Sequence, residues 1–237
     1  KQSVDSTIVS SVVDSNISER TLVHDSNFPL STQPLLERLR THYRSMCHTR
    51  LIGELHARGE PALHPLRINI NDPPTFPATF KSMQSGNQIL LASVLEFGNV
   101  VFPEFMKLEE QGKWSVVTKF FYRFRTFEGC YRATQIFPKH LIRFLPNFTT
   151  YLSPGAYASF YDGFPKTADV EGATRYIKDS NFQVKEIAGA RKLIARLKPH
   201  NEEFLAVIGL MFWTVDGINV SQAISTIAEQ YTKQILN

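Results

Sequence analysis

Arg123, Arg125, Glu128 and Arg132 fall within one stretch, FYRFRTFEGCYR at 121–132, among five aromatic residues. Guanidinium groups suit carboxylates and phosphates, because their planar fork meets two oxygens at once. A carboxylate four residues before an arginine on a helix can also pair with it, and Glu128 and Arg132 have that spacing. The chemistry on offer is anion binding or an ion pair, not bond breaking. His42, Cys47 and His48 are the other cluster of chemical interest. On a helix they point in different directions, which is wrong for a metal site. His56, His64, His140 and His200 are isolated. The chain has no G-x-S-x-G, no G-x-x-x-x-G-K-[ST] and no H-E-x-x-H, so an enzyme finds no support in its motifs.

The elements that position these residues belong to a chain of 237 residues, 43% hydrophobic, with a formal net charge of +4. That is enough apolar material for a sizeable core. No run of five Lys/Arg occurs, so charge alone does not indicate nucleic-acid binding. Two cysteines, Cys47 and Cys130, exclude a disulfide framework and a multi-cysteine zinc module, and they fit a reducing compartment. The sequons at Asn16, Asn147 and Asn219 read as chance matches. The longest apolar run, FLAVIGLMFW at 204–213, is about half of a membrane span. The chain does not begin with Met, so a piece of something longer is expected.

Residues 1–34, rich in Ser, Asp, Asn and Val and without a sustained period, read as a largely disordered hinge or linker. Helical pattern runs from Leu35 to a stop at Gly59 and Pro61, with Leu35, Leu36, Leu39, Tyr43, Met46 and Arg50 near one face. A proline-broken connection over 57–75 leads to a second helix at about 76–102, with Pro77 in its first turn, and a third at about 109–137. YLSPGAYASFYDGFP at 151–165 reads as a small β-hairpin. Helices near 169–179, 182–197, 200–215 and 220–236 complete the chain.

At about 100° per residue, Val116, Val117, Phe120, Phe124, Phe127 and Tyr131 share one side of the third helix, an aromatic stripe made for core packing. Phe121, Tyr122, Arg125, Thr126, Gly129 and Arg132 share the other. Two readings of that second face stay open. It is solvated, with Glu128 and Arg132 as a surface pair; or it bounds an internal cavity in which Gly129 makes room and the arginines hold an anion.

LEFGNVVFPEFMKLEEQGKWSVVTKFF at 95–121 resembles the signature of nuclear-receptor ligand-binding domains. Phe105, Leu108 and Lys113 match it, and Val116-Val117 stand for its paired leucines. PLLERLRTHYRSMCHTRL, FPEFMKLEEQGK, FEGCYRATQIFP, EEFLAVIGLMFW and VSQAISTIAEQYTKQIL are similar to phrases of the expanded nematode branch, in order from Leu35 to Asn237. The resemblance implies an all-α, three-layer antiparallel helical sandwich with a small β-hairpin over 35–237. It implies a domain of a transcription factor in the nucleus that couples a small lipophilic ligand to gene regulation. The alternative is a ligand-independent dimerisation or co-regulator module on the same fold. Ligand contacts fall to Phe121, Tyr122, Arg125, Thr126, Gly129 and Arg132, with Leu91 and Leu95 of the second helix. Arg132 stands where several members hold an acidic or polar ligand group. The co-regulator groove falls to Asn99, Val100, Lys113 and Val117, and Asn99 or Val100 replaces the lysine that clamps a co-regulator helix. A receptor dimer partner is expected, and so are two further helices beyond Asn237. DNA is met through a separate zinc-binding module needing eight cysteines; this chain itself is expected to hold no cofactor and no metal, and to span no membrane.

Overall fold

The structure, a computed structural model, describes residues 33–59, 69–153, 160, 181–214 and 222–236. The chain divides into two units, Lys1–Thr32 and Gln33–Asn237, and every described residue belongs to the second. The expected linker falls almost wholly outside the described residues. So do the expected helix near 169–179 and most of the expected hairpin at 151–165.

Helix α1 spans Leu35–Ala57 and buries Leu35, Leu39, Met46, Leu51 and Leu55. It also buries three charged side chains, Arg38, Arg50 and Glu54. It closes where Arg58 N–H bonds back to Glu54 O and Gly59 turns to a φ of 74°, a conformation that costs glycine nothing.

Helix α2 covers Phe80–Val101 and starts later than the expected 76. Thr79 Oγ1 accepts from Ser82 N–H at 3.1 Å while Ser82 Oγ accepts from Thr79 N–H at 3.0 Å. This reciprocal cap satisfies two otherwise orphaned donors and sets the start. The residues before it form strand β1, Phe76–Pro77, parallel to β2, Thr150–Tyr151. Phe76 and Ala78 donate to Thr149 O and Tyr151 O at 2.8 and 2.9 Å. Pro77 lies between them, so the N–H it lacks is not one the pairing uses. The described β-element is thus a parallel pair with a distant partner, and most of the hairpin expected over 151–165 lies outside the described residues. An antiparallel bridge, Phe144 to Leu152, extends it.

Short α3, Pro103–Met106, leads to α4, Glu110–Ile136, then α5, Asn181–Leu197, α6, Asn201–Trp213, and α7, Gln222–Leu236. Helix α4 packs on α2, α5 and α6; α6 packs on α1, α4 and α7; and α1 packs along α2. These contacts make α4 and α6 the inner layer of the expected helical sandwich. The main core is aromatic. Phe102 stacks on Phe212 at 4.6 Å between centroids, and Trp213 stacks on Tyr231 at 5.3 Å. A Cβ on Gly98 would stand 2.6 Å from Phe212 and 2.7 Å from Phe105; the glycine lets those rings close onto α2. No helix among the described residues is long and apolar enough to cross a membrane.

Candidate functional site

The stripe of α4 does what its period requires. Val116, Val117, Phe120 and Phe124 are fully buried, and Phe127 and Tyr131 pack half-buried against the same core. The charges beside it are buried too, and their partners come from elsewhere in the chain.

Glu128 is 1% exposed and Arg50 of α1 is 0% exposed. Arg50 Nη1 donates to Glu128 Oε1 at 2.7 Å, and Tyr43 Oη donates to the same oxygen at 3.0 Å. Burial pushes the Glu128 carboxyl upward, but the fields of Arg50 and Arg132 and the two hydrogen bonds outweigh it and hold the group below its ordinary value. The expected Glu128–Arg132 pair is not formed. Arg132 instead donates from Nη2 to Phe148 O at 2.8 Å. Spacing offered Glu128 a neighbour; tertiary packing offered it a better one.

The segment 144–150 is what these groups hold. Glu54 accepts from Phe148 N–H, Thr149 N–H and Thr149 Oγ1, each at 2.8 Å. The Phe148 ring lies under two guanidiniums, 3.7 Å from Arg132 and 5.2 Å from Arg50, favourable cation–π placements. Gly129 does make room, but for this segment. A Cβ there would run into Leu145 O and stand 2.5 Å from the Phe144 ring.

The face expected to act together is therefore divided. Phe121 is in the core cluster. Gly129 and Arg132 lie under the 144–148 segment. Tyr122 is 64% exposed, and Thr126, also exposed, donates to Tyr122 O at 3.0 Å. Arg125 is half-buried and donates to Asn87 Oδ1 of α2 at 3.3 Å. Leu91 and Leu95 pack half-buried on the core.

Two spaces flank α4. An open trough of about 500 Å³ lies between α4 and α5, lined by Tyr122, Arg123, Thr126, Phe127, Cys130, Ala190 and Ile194. Arg123 reaches away to Thr214 O at 2.8 Å, so the trough is largely apolar. A cavity of about 440 Å³ lies between α1, the end of α4 and the start of α6. Arg132 lines this one, and no residue lines both. At about 100° per residue the two open on opposite sides of α4.

Of the expected groove residues, Val117 is fully buried and presents nothing to a partner. Asn99 and Val100 are half-buried at the end of α2. Lys113 Nζ sits 5.9 Å over the Phe105 ring, with Met106 and Trp114 exposed in the same stretch of chain. No group of His, Cys, Asp and Glu among the described residues could hold a metal.

Arg191 of α5 escaped sequence reasoning. It is 0% exposed and gathers four carbonyls: Ala133 O at 2.5 Å, Phe137 O at 2.8 Å, Arg143 O at 2.9 Å and His140 O. A cation there meets the negative dipole at the end of α4 and shares carbonyls that already accept from the N–H groups of Phe137, His140 and Arg143. Glu54 was missed likewise. The available signal was their position: each is a lone charge at the apolar spacing of its helix.

The family model described as the ligand-binding domain of nuclear hormone receptor matches residues 74–237. No curated protein matches the chain, and no solved structure does. The matched span runs from β1 through α7 and holds the signature helices α2 to α4. The chain belongs to the family of nuclear hormone receptor ligand-binding domains.

Proposed function

We propose that this domain couples a small lipophilic ligand to transcriptional regulation in the nucleus, acting by binding and not by catalysis. The observation that carries the reading is the trough between α4 and α5. Its walls are apolar, its volume of about 500 Å³ lies in the range of small-molecule sites, and Tyr122 and Thr126 offer it two hydroxyls. Tyr122 and Thr126 serve as its ligand contacts; Arg125, Leu91 and Leu95, on the side of α2, do not line it. Asn99, Val100 and Lys113 mark the co-regulator surface, and dimerisation with a second receptor and DNA contact through a separate module complete the scheme. The phrases similar to those of the expanded nematode branch support a place there within its family.

Native mass spectrometry of the purified chain tests the reading, with extraction of any co-purifying molecule. Thr126→Trp, at an exposed position, fills the trough and should release the bound species. An adduct-free wild type that takes up no neutral lipid or sterol from a mixed panel would defeat it.

One observation favours a second reading, the ligand-independent module. The space at Gly129 is taken by the 144–145 segment and Phe121 belongs to the core. On that reading Thr126→Trp changes neither mass nor partner binding.

A further inference from the structure

Two exposed apolar side chains occupy the corner of a turn, where polar residues are the rule. Beyond α4 the chain makes two successive turns. His140 N–H donates to Phe137 O and Arg143 N–H donates to His140 O, each at 3.0 Å. Leu141 and Ile142 are the central residues of the second turn, 37% and 48% exposed. A single exposed leucine asks for no explanation. This pair differs because the turn that carries it is braced. Arg191, fully buried in α5, donates from Nη1 to His140 O and, at 2.9 Å, to Arg143 O, the two ends of the turn. The brace holds the apolar tip in one place.

The charge around the tip has one sign. Lys139 and His140 precede it, both exposed. Arg143 follows it, half-buried, with its guanidinium 5.1 Å from the Phe137 ring and 5.0 Å from the Tyr151 ring. On α5, Lys192 and Arg196 are exposed and stand one turn apart on the strip next to the brace. None of these four cations forms an ion pair among the described residues. Residues 137–152 and 187–198 contain no Asp or Glu. A tip that stands out from the surface does not receive a peptide as a groove does; it enters its partner. The unpaired cations beside it call for a partner that is negative. An anionic bilayer offers both, an apolar interior beneath a plane of negative headgroups.

We propose that the 138–143 turn and the adjoining strip of α5 form a peripheral docking surface for an anionic lipid bilayer. Leu141 and Ile142 enter the interface, and Lys139, Arg143, Lys192 and Arg196 meet the headgroups. Two apolar side chains or four cations alone bind weakly; together they give reversible, salt-sensitive attachment. The contact is with the surface and crosses nothing. The docking turn does not line the trough, so the proposal stands whether or not the trough takes a ligand.

Co-sedimentation of the full chain with vesicles tests it. Vesicles of phosphatidylcholine with about 30% phosphatidylserine should bind the chain at least about tenfold more tightly than pure phosphatidylcholine, and raising salt from about 50 to about 300 mM should weaken that binding several-fold. Leu141→Ser/Ile142→Ser, at the exposed tip, should lower the affinity by about tenfold, and Lys139→Glu/Lys192→Glu by at least as much. Met106→Ser alters another exposed apolar residue, 58% exposed beyond the opposite end of α4, and should change nothing. Circular dichroism checks that each variant folds. Leu141→Trp gives a second readout: its fluorescence should shift to the blue on anionic vesicles and be quenched by brominated lipid. No vesicle binding, equal binding to neutral vesicles, or undiminished binding by folded Leu141→Ser/Ile142→Ser would each overturn the proposal. Binding to soluble polyglutamate but to no vesicle would overturn it too, in favour of an acidic protein partner.

Discussion

Arg50 and Glu128 meet at 2.7 Å with neither side chain more than 1% exposed, across 78 residues of chain. The pair ties α1 to α4 inside the aromatic core, where each charge depends on the other. Arg50→Met leaves a buried carboxylate with Tyr43 as its remaining donor, and the expected loss is about 3–5 kcal/mol. Glu128→Leu strands the guanidinium and should cost about as much. The double variant Arg50→Met/Glu128→Leu should recover much of the loss, because two apolar groups can fill the same space. Urea melts of the four proteins measure the cycle. Simple addition of the two single losses would show that the groups are not coupled.

Acid should find the same pair. The folded carboxyl of Glu128 is held below its ordinary value of 4.5. Its contribution is therefore fully present above about pH 4.5, the unfolded value, and is lost as pH falls through the lower folded value. Wild-type stability should drop across that acidic window, and Glu128→Gln, weaker at neutral pH, should show a shallower drop. Chemical denaturation at pH 7, 5, 4 and 3 gives both curves, and parallel curves would contradict the assignment.

Gly129→Ala tests the covering of α4 by the 144–148 segment. The new methyl group meets Leu145 O and the Phe144 ring at 2.5 Å, a main-chain obstacle that cannot rotate away. Overpacking of this kind costs about 1–3 kcal/mol, where the same change in an exposed helix would gain nearly 1 kcal/mol. Thermal unfolding distinguishes the two signs.

On the resemblance, Asn99 or Val100 takes the place of the lysine that caps a docked co-regulator helix, and the Asn99 Oδ1 is buried without a partner among the described residues. Asn99→Lys restores a cation that complements the carbonyl end of such a helix. Affinity for a Leu-x-x-Leu-Leu peptide should rise by about fivefold, roughly 1 kcal/mol, by fluorescence anisotropy. No change would place the docking surface elsewhere.

Periodicity read the long helices well. The third was expected at 109–137 and spans Glu110–Ile136, because its aromatic stripe holds one period for about four turns. The stripe residues are buried where that period puts them. Local pattern failed wherever a partner lies far along the chain. Phe76–Pro77 looked like a first helical turn, and its strand pairing depends on Thr150 and Tyr151. Phe121 looked surplus on a polar face, yet it joins the core. Glu128 and Arg132 had the spacing of a pair, but each found its partner from 16 to 85 residues away. Spacing along a helix ranks neighbours on that helix and says nothing about what the next layer brings.

The four carbonyls gathered by Arg191 come from residues 48 to 58 positions earlier. Local N–H groups already pair with the carbonyls of Ala133, Phe137 and His140, but the side-chain cation that ties all four together comes only from that distance. A closure of such length is slow relative to a helical turn, which forms on the submicrosecond scale. The last turn of α4 thus fastens after the first, and the order of events is written by an arginine that lies outside α4 altogether. Truncating that side chain would leave the early helix intact and loosen its far end. The native state would then shed residues 137–143 first, by partial opening, before the aromatic core gives way.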